Sequence, residues 1–251
     1  MTKWWHVSWK RVAITLVAIF VGLWLLAGTV RLVSFQLMPW HITRELSREY
    51  PQLNQIPLAP PDNSLTKLNG VRIEVYGFSM DTPWQEIDRQ KNFSTVSVWN
   101  FKDGANVLIM KDSDLLKLAS LMRKDPRTTR LLGNDALGSE SALMAAEMYA
   151  TPDQVKWWKL PRQNTRAMTL ANLKAIHCHN YGTIYVIGFG QVHGFQEGSP
   201  NAAPYMVSLN LFDANDHHYE ILITGEEGKP LPLTQGQLNS MVSSLQPDRH
   251  N

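Results

Sequence analysis

Thr183-Ile184-Tyr185-Val186-Ile187-Gly188-Phe189-Gly190-Gln191-Val192 is the most strand-like stretch of the chain, rich in β-branched and aromatic residues. Tyr205 to Phe212 and Tyr219 to Thr224 follow it with the same character, and Asp213-Ala214-Asn215-Asp216 supplies turn chemistry between them. Three strands in succession with polar turns predict an antiparallel sheet. Gly188 and Gly190 fall on one face of the first of these strands, where missing side chains allow close packing. Gly194 to Pro204, rich in Gly, Ser, Pro and Asn, reads as a flexible loop.

Upstream, Val71, Ile73 and Val75 alternate with Arg72, Glu74 and Tyr76, the period of a half-buried strand over Val71 to Phe78. Phe93 to Phe101 and Asn106 to Lys111 flank Lys102-Asp103-Gly104, an Asp-Gly hairpin signal. Helices are expected from a cap at Asp112 or Ser113 through Arg123, over Ser139 to Ala150, from Thr151-Pro152-Asp153-Gln154, and around Thr165 to Ile176. Thr234 opens a last helix in a Thr-x-x-Gln box, with Leu238, Met241, Val242 and Leu245 on one face. The order predicts an α+β domain, an antiparallel sheet of about six strands with helices on one face, over residues 69–247. About 180 residues suffice to bury one core.

Outside this domain, Val12 to Val30 runs 19 residues without a charge. As a helix it reaches roughly 28 Å, close to the ~30 Å hydrocarbon core of a bilayer. Lys3, Lys10 and Arg11 precede it, no acidic residue occurs before Arg31, and Trp4, Trp5, Trp9 and Trp40 flank the run. This pattern predicts a transmembrane signal anchor at 12–30 with residues 1–11 cytoplasmic. A cleaved signal peptide would have a shorter apolar run, and Ala27-Gly28-Thr29 fits a cleavage site poorly. Ala18 and Gly22 form a small-xxx-small pair that would suit a homodimer. Residues 31–68 carry Pro39, Pro51, Pro57, Pro60 and Pro61 and read as a juxtamembrane stalk, with a short helix over Thr43 to Tyr50; residues 248–251 form a tail.

Charge narrows the function classes. Four of the 24 basic residues and none of the 22 acidic ones lie at or before Arg31, so the remaining 220 residues carry 20 positive and 22 negative charges. That balance of −2 argues against nucleic acid as a partner, because phosphate neutralisation supplies most of such affinity. The single cysteine, Cys178, has no intramolecular partner and is expected to be buried or to pair with another chain.

Gly77-Phe78-Ser79-Met80-Asp81-Thr82-Pro83 resembles the Ser-Met-x-Pro-Thr box of membrane-anchored type I signal peptidases. The resemblance implies a Ser79 nucleophile with a lysine base, but Pro and Thr stand in reversed order and no lysine lies in a matching motif. The segment reads as a loop leaving the first strand. His177 and His179 share a face if the chain there is extended, His193 ends the next strand and His217-His218 opens another, so His177, His179 and His193 are the metal-ligand candidates. Their spacing matches no metal motif, and capping or solvated turn histidines account for them better. Gly188 to His193 lacks the third glycine and the helix that a dinucleotide site needs. Trp157-Trp158, between Lys156 and Lys159, are expected on a helix with one ring in the core and one partly exposed, as a membrane-surface or ligand patch.

Taken together, these readings predict a membrane-anchored extracytoplasmic, most simply periplasmic, binding or protein-interaction module. It would hold the lipid bilayer through residues 12–30, meet a protein partner in the envelope, and need no cofactor. The alternative is an envelope enzyme or metal-binding protein with a site built from scattered residues such as His177, His179, His193 and Asp216.

Overall fold

Val207, Leu209 and Leu211 alternate with Ser208, Asn210 and Phe212, and all six side chains are buried, so this strand is covered on both faces. The computed structural model describes residues 9–75, 78–111, 118–178, 182–203 and 205–247, with side chains throughout these ranges except at 9–16, 35–36 and 111. β1 (Arg72–Val75) and β2 (Phe78–Asp81) are followed by β3 (Ile87–Asn92), β4 (Val96–Phe101), β5 (Asn106–Lys111), β6 (Ile184–Phe189), β7 (Val192–Glu197), β8 (Val207–Phe212), β9 (His218–Thr224) and β10 (Gln246–Pro247). Seven of them form one antiparallel sheet in the order β3-β4-β5-β9-β8-β7-β6, and β1-β2-β10 make a second, small sheet. The α+β class and the antiparallel sheet agree with the sequence reading.

The strand count rises from six for physical reasons. The run expected as one strand over Val71 to Phe78 instead reverses, pairing Val75 with Phe78 and Ile73 with Met80. The run Thr183 to Val192 is also a hairpin: Gly190 takes φ +61° and Phe189 pairs with Val192, so the loop expected at Gly194 to Pro204 begins as strand. Gly188 and Gly190 therefore do not share a strand face. The close approach belongs to Gly194, where a Cβ would sit 1.9 Å from the Asn210 carbonyl oxygen. β3 escapes detection because Ile87-Asp88-Arg89-Gln90-Lys91-Asn92 is exposed along its length and is held by its ladder to β4, as a charged edge strand can be.

Helices lie on both faces, which corrects the expectation of one. α1 (Trp9–Leu32) continues through a π-helical turn, Val33–Leu37, into α2 (Met38–Glu49); α3 (Leu118–Arg123), α4 (Pro126–Leu132), α5 (Asn134–Leu137), α6 (Glu140–Met148), α7 (Pro161–His177) and α8 (Gln235–Ser243) follow. α8 has the expected capping box and puts Leu238, Met241 and Val242 into one core with Ile73, Phe78, Met80, Ile109, Leu209 and Ile221. Across the sheet, Met144 and Met148 of α6 pack on Ile184, Phe195 and Phe212 with Cys178, which is buried as expected. Helices expected on one face would leave the other to solvent, where the fold has this second, buried one. Residues 112–117, which hold the expected cap at Asp112 or Ser113, lie outside the described residues. α7 starts four residues before the expected Thr165 because Pro161 is tolerated in a first helical turn.

Among the described residues no helix is long and apolar enough to cross a membrane. The side chains of residues 9–16, which hold the start of the expected anchor at 12–30, lie outside the description; from Val17 onward, Val17, Phe20, Leu23 and Trp24 are exposed.

Residues 31–68 are laid along the domain. After α2, Pro51–Asn54 make a 3-10 turn with Leu53 buried. Leu58 then adds to the free edge of β6, its N–H donating to the Ile184 carbonyl and its own carbonyl accepting from Val186. Asn239 donates to the carbonyls of Asp62 and Ser64. Lys174, fully buried in α7, points its ammonium at the carbonyls of Gln55 (2.6 Å), Met148 (2.9 Å), Leu53 (3.2 Å) and Ala150 (3.2 Å). Desolvation lowers its pKa. Lys174→Met leaves these carbonyls without their donor and is expected to lower the unfolding free energy by about 3 kcal/mol. The check is a urea titration of the full chain in detergent, with the exposed Lys67→Met shifting the midpoint little.

Candidate functional site

The second sheet face is unusual because polar side chains are buried among its apolar ones: Ser208 and Asn210 on β8, His218 and Glu220 on β9, and Glu197 on β7. α6 lies over this face because its N-terminus is held there. The Asp216 carboxylate, in the turn between β8 and β9, accepts from the backbone N–H groups of Glu140 (2.7 Å) and Ser141 (3.0 Å). Ser139 caps the same end by accepting from the Ala142 N–H. Glu140 in turn accepts from the N–H groups of Ala119 and Ser120 in α3. A carboxylate at a helix N-terminus is stabilised by the exposed N–H groups and the dipole.

This positioning brings Glu147 of α6 against His177, the last residue of α7, with His177 Nδ1 2.6 Å from Glu147 Oε2. Glu147 is completely buried and its second oxygen, Oε1, has no hydrogen-bond partner. Burial pushes its carboxyl pKa up and outweighs the lowering effect of the His177 hydrogen bond. His218 stands in the same pocket. Its Nε2 lies 3.1 Å from the Asn210 Oδ1 acceptor, which requires Nε2 to carry the proton and leaves Nδ1 as an unpartnered acceptor. Burial lowers the His218 pKa to about 4.

Glu140, Met144, Glu147, His177, Phe212 and His218 line a cavity of about 20 Å³. That volume admits one water-sized group. The site thus presents a buried carboxylate coupled to an imidazole and a second, neutral imidazole, an arrangement suited to accepting hydrogen bonds and to moving a proton between Glu147 and His177.

The sequence candidates separate. His177 is in the pocket, and His179 lies outside the described residues. His193 sits exposed on β7, with Phe212 interposed between its ring (6.1 Å) and that of His218 (4.7 Å). His217 faces away from the pocket toward Asp213, 3.0 Å from its carboxylate. Among the described residues no group of three or more His, Cys, Asp or Glu side chains is placed to hold a metal ion. Asp216 serves as a helix cap. Ser79, the nucleophile implied by the signal-peptidase resemblance, lies within β2 with Arg72 donating to its Oγ at 2.5 Å, and a guanidinium cannot act as the base. Glu147 and Asn210 were not singled out from the sequence. The signal for Glu147 is its place beside Leu143, Met144 and Met148 on the apolar side of a helix.

Comparison with known proteins returns no match among family models, curated proteins or solved structures.

The titration of the site has a measurable consequence. Unfolded His218 takes up a proton near its ordinary 6.5 and folded His218 only near 4, so between these values the unfolded state binds more protons and acid destabilises the fold. The loss is about 3 kcal/mol from pH 6.5 to 4. Glu147 acts with the opposite sign, since its raised pKa favours the folded state on acidification. Unfolding free energies measured from pH 7 to 4 should therefore fall less steeply in His218→Gln and more steeply in Glu147→Gln.

Proposed function

We propose that this chain is a single-pass membrane protein, held by residues 12–30, that carries residues 69–247 outside the cytoplasm as a binding or protein-interaction module. The observation that carries the reading is in the sequence: the 19-residue uncharged run Val12 to Val30, from which Val17, Phe20, Leu23 and Trp24 are exposed in the structure. Apolar side chains in that number need an apolar surrounding, and a bilayer of ~30 Å supplies it. The basic residues before the run support a cytoplasmic N-terminus, and the periplasm is the simplest compartment for the domain. The partner would be another envelope protein, with a second copy of the chain able to pack through Ala18 and Gly22.

A second reading, an envelope enzyme, draws on one observation: the buried Glu147–His177 pair with its raised carboxyl pKa. An activity of the purified chain abolished by Glu147→Gln at unchanged stability would favour it.

The anchor is tested in cells. The full chain should remain in the membrane pellet after alkaline carbonate washing, and deletion of residues 12–30 should release it. In a Cys178→Ser background, Asp103→Cys should react with an impermeant maleimide from outside and Thr2→Cys should not. Release of the full chain by carbonate, or the reverse labelling, would overturn the reading.

A further inference from the structure

Lys156-Trp157-Trp158-Lys159-Leu160 joins the short 3-10 turn Pro152–Gln154 to α7. The sequence reading placed the tryptophans on a helix with one ring in the core. Instead both rings are outside, Trp157 50% and Trp158 65% exposed and packed edge to face at 5.8 Å, and Leu160 is 66% exposed. Three large apolar side chains within four residues are thus turned outward. Arg162 stands beside them on the surface, and Arg44 lies over the Trp40 ring, 5.3 Å from its centre, across a cleft that Trp40, Lys156, Trp157 and Trp158 share with Asp153. The patch is aromatic at its centre and cationic at its edges.

Its place in the fold is specific. α7 packs against both the turn Val33–Leu37 and the turn Pro51–Asn54. Trp157 and Trp158 share their cleft with Trp40 and Arg44 of α2, and Trp40 lies three residues beyond Leu37. Val33 lies three residues beyond the uncharged run that ends at Val30. The exposed segment therefore occupies the end of the domain nearest the point where α1 leaves its apolar stretch.

We propose that Trp157, Trp158 and Leu160, with Lys156, Lys159 and Arg162, dock the domain on the anionic phospholipid surface of the bilayer that holds residues 12–30, a role that rests on the anchor reading. Indole rings favour the headgroup level, a leucine between them supplies shallow apolar insertion, and the cations at the edge meet lipid phosphates. Docking gives the domain a fixed orientation: the patch faces the membrane and the opposite end of the sheet faces outward.

The test uses the full chain reconstituted in vesicles of pure phosphatidylcholine and of phosphatidylcholine mixed with phosphatidylglycerol, carrying a nitroxide at Gln163→Cys in the Cys178→Ser background. In the mixed vesicles the label should be shielded from a water-soluble relaxant, while a label at Asp103→Cys in the turn after β4 stays accessible. Lys156→Gln, Lys159→Gln and Arg162→Gln should each lower the docked-to-undocked ratio about fivefold, and Trp157→Ala with Trp158→Ala should remove the shielding. A chain that floats with the vesicles yet leaves Gln163→Cys equally accessible in both lipids overturns docking while leaving the anchor intact; a chain that does not float overturns the anchor. Shielding that appears solely after a membrane-protein extract is added also overturns the proposal, in favour of a protein partner.

Discussion

The ammonium of Lys174 is the contact on which the arrangement of the chain depends. It gathers the carbonyls of Leu53 and Gln55, which follow α2, and those of Met148 and Ala150 at the end of α6. A buried ammonium is costly unless its donors are used, and four carbonyl dipoles compete for three N–H groups here. The negative end of the α6 dipole adds to the attraction. One side chain therefore ties the segment leaving α2 to the helical block, and through it fixes where α2, the Pro51–Asn54 turn and α7 meet.

The helical block in turn creates the site. Once α6 is anchored at its N-terminus by Asp216 and at its C-terminus by Lys174, Glu147 has no path to solvent. Its pKa rises, and that of His218 falls, for the same reason: burial beneath the helices disfavours the charged form of each. Two titratable groups with opposed shifts around one small cavity are the chemical content of the fold, and they exist because a sheet face that looks solvent-facing in the sequence is covered.

Much of the fold was legible in residues whose signals are local. The Thr234 to Gln237 box, the Asp-Gly hairpin at Asp103-Gly104 and the turn at Asp213 to Asp216 each satisfy backbone groups within a few residues, so they read the same in isolation as in the folded chain. The illegible parts were those held by distant partners. β3 has no apolar alternation and exists through its ladder to β4. The prolines of residues 51–61 suggested a free stalk, yet Leu58 finds the edge of β6 and Pro51–Asn54 finds Lys174. In the site, His177 was visible as a candidate, whereas Glu147 passed as an ordinary helical glutamate because its burial is decided by Asp216 some seventy residues away.

By itself the sequence determined the class of the domain, the amphipathic faces of β1 and α8, and the uncharged run that suggests an anchor, because periodicity and the partition of apolar groups from water act residue by residue. Tertiary structure decided which faces were covered, which turned the expected strands at Val71 to Phe78 and Thr183 to Val192 into hairpins and brought Glu147, His177 and His218 together. Burial depends on what packs above a residue, and that neighbour comes from far along the chain.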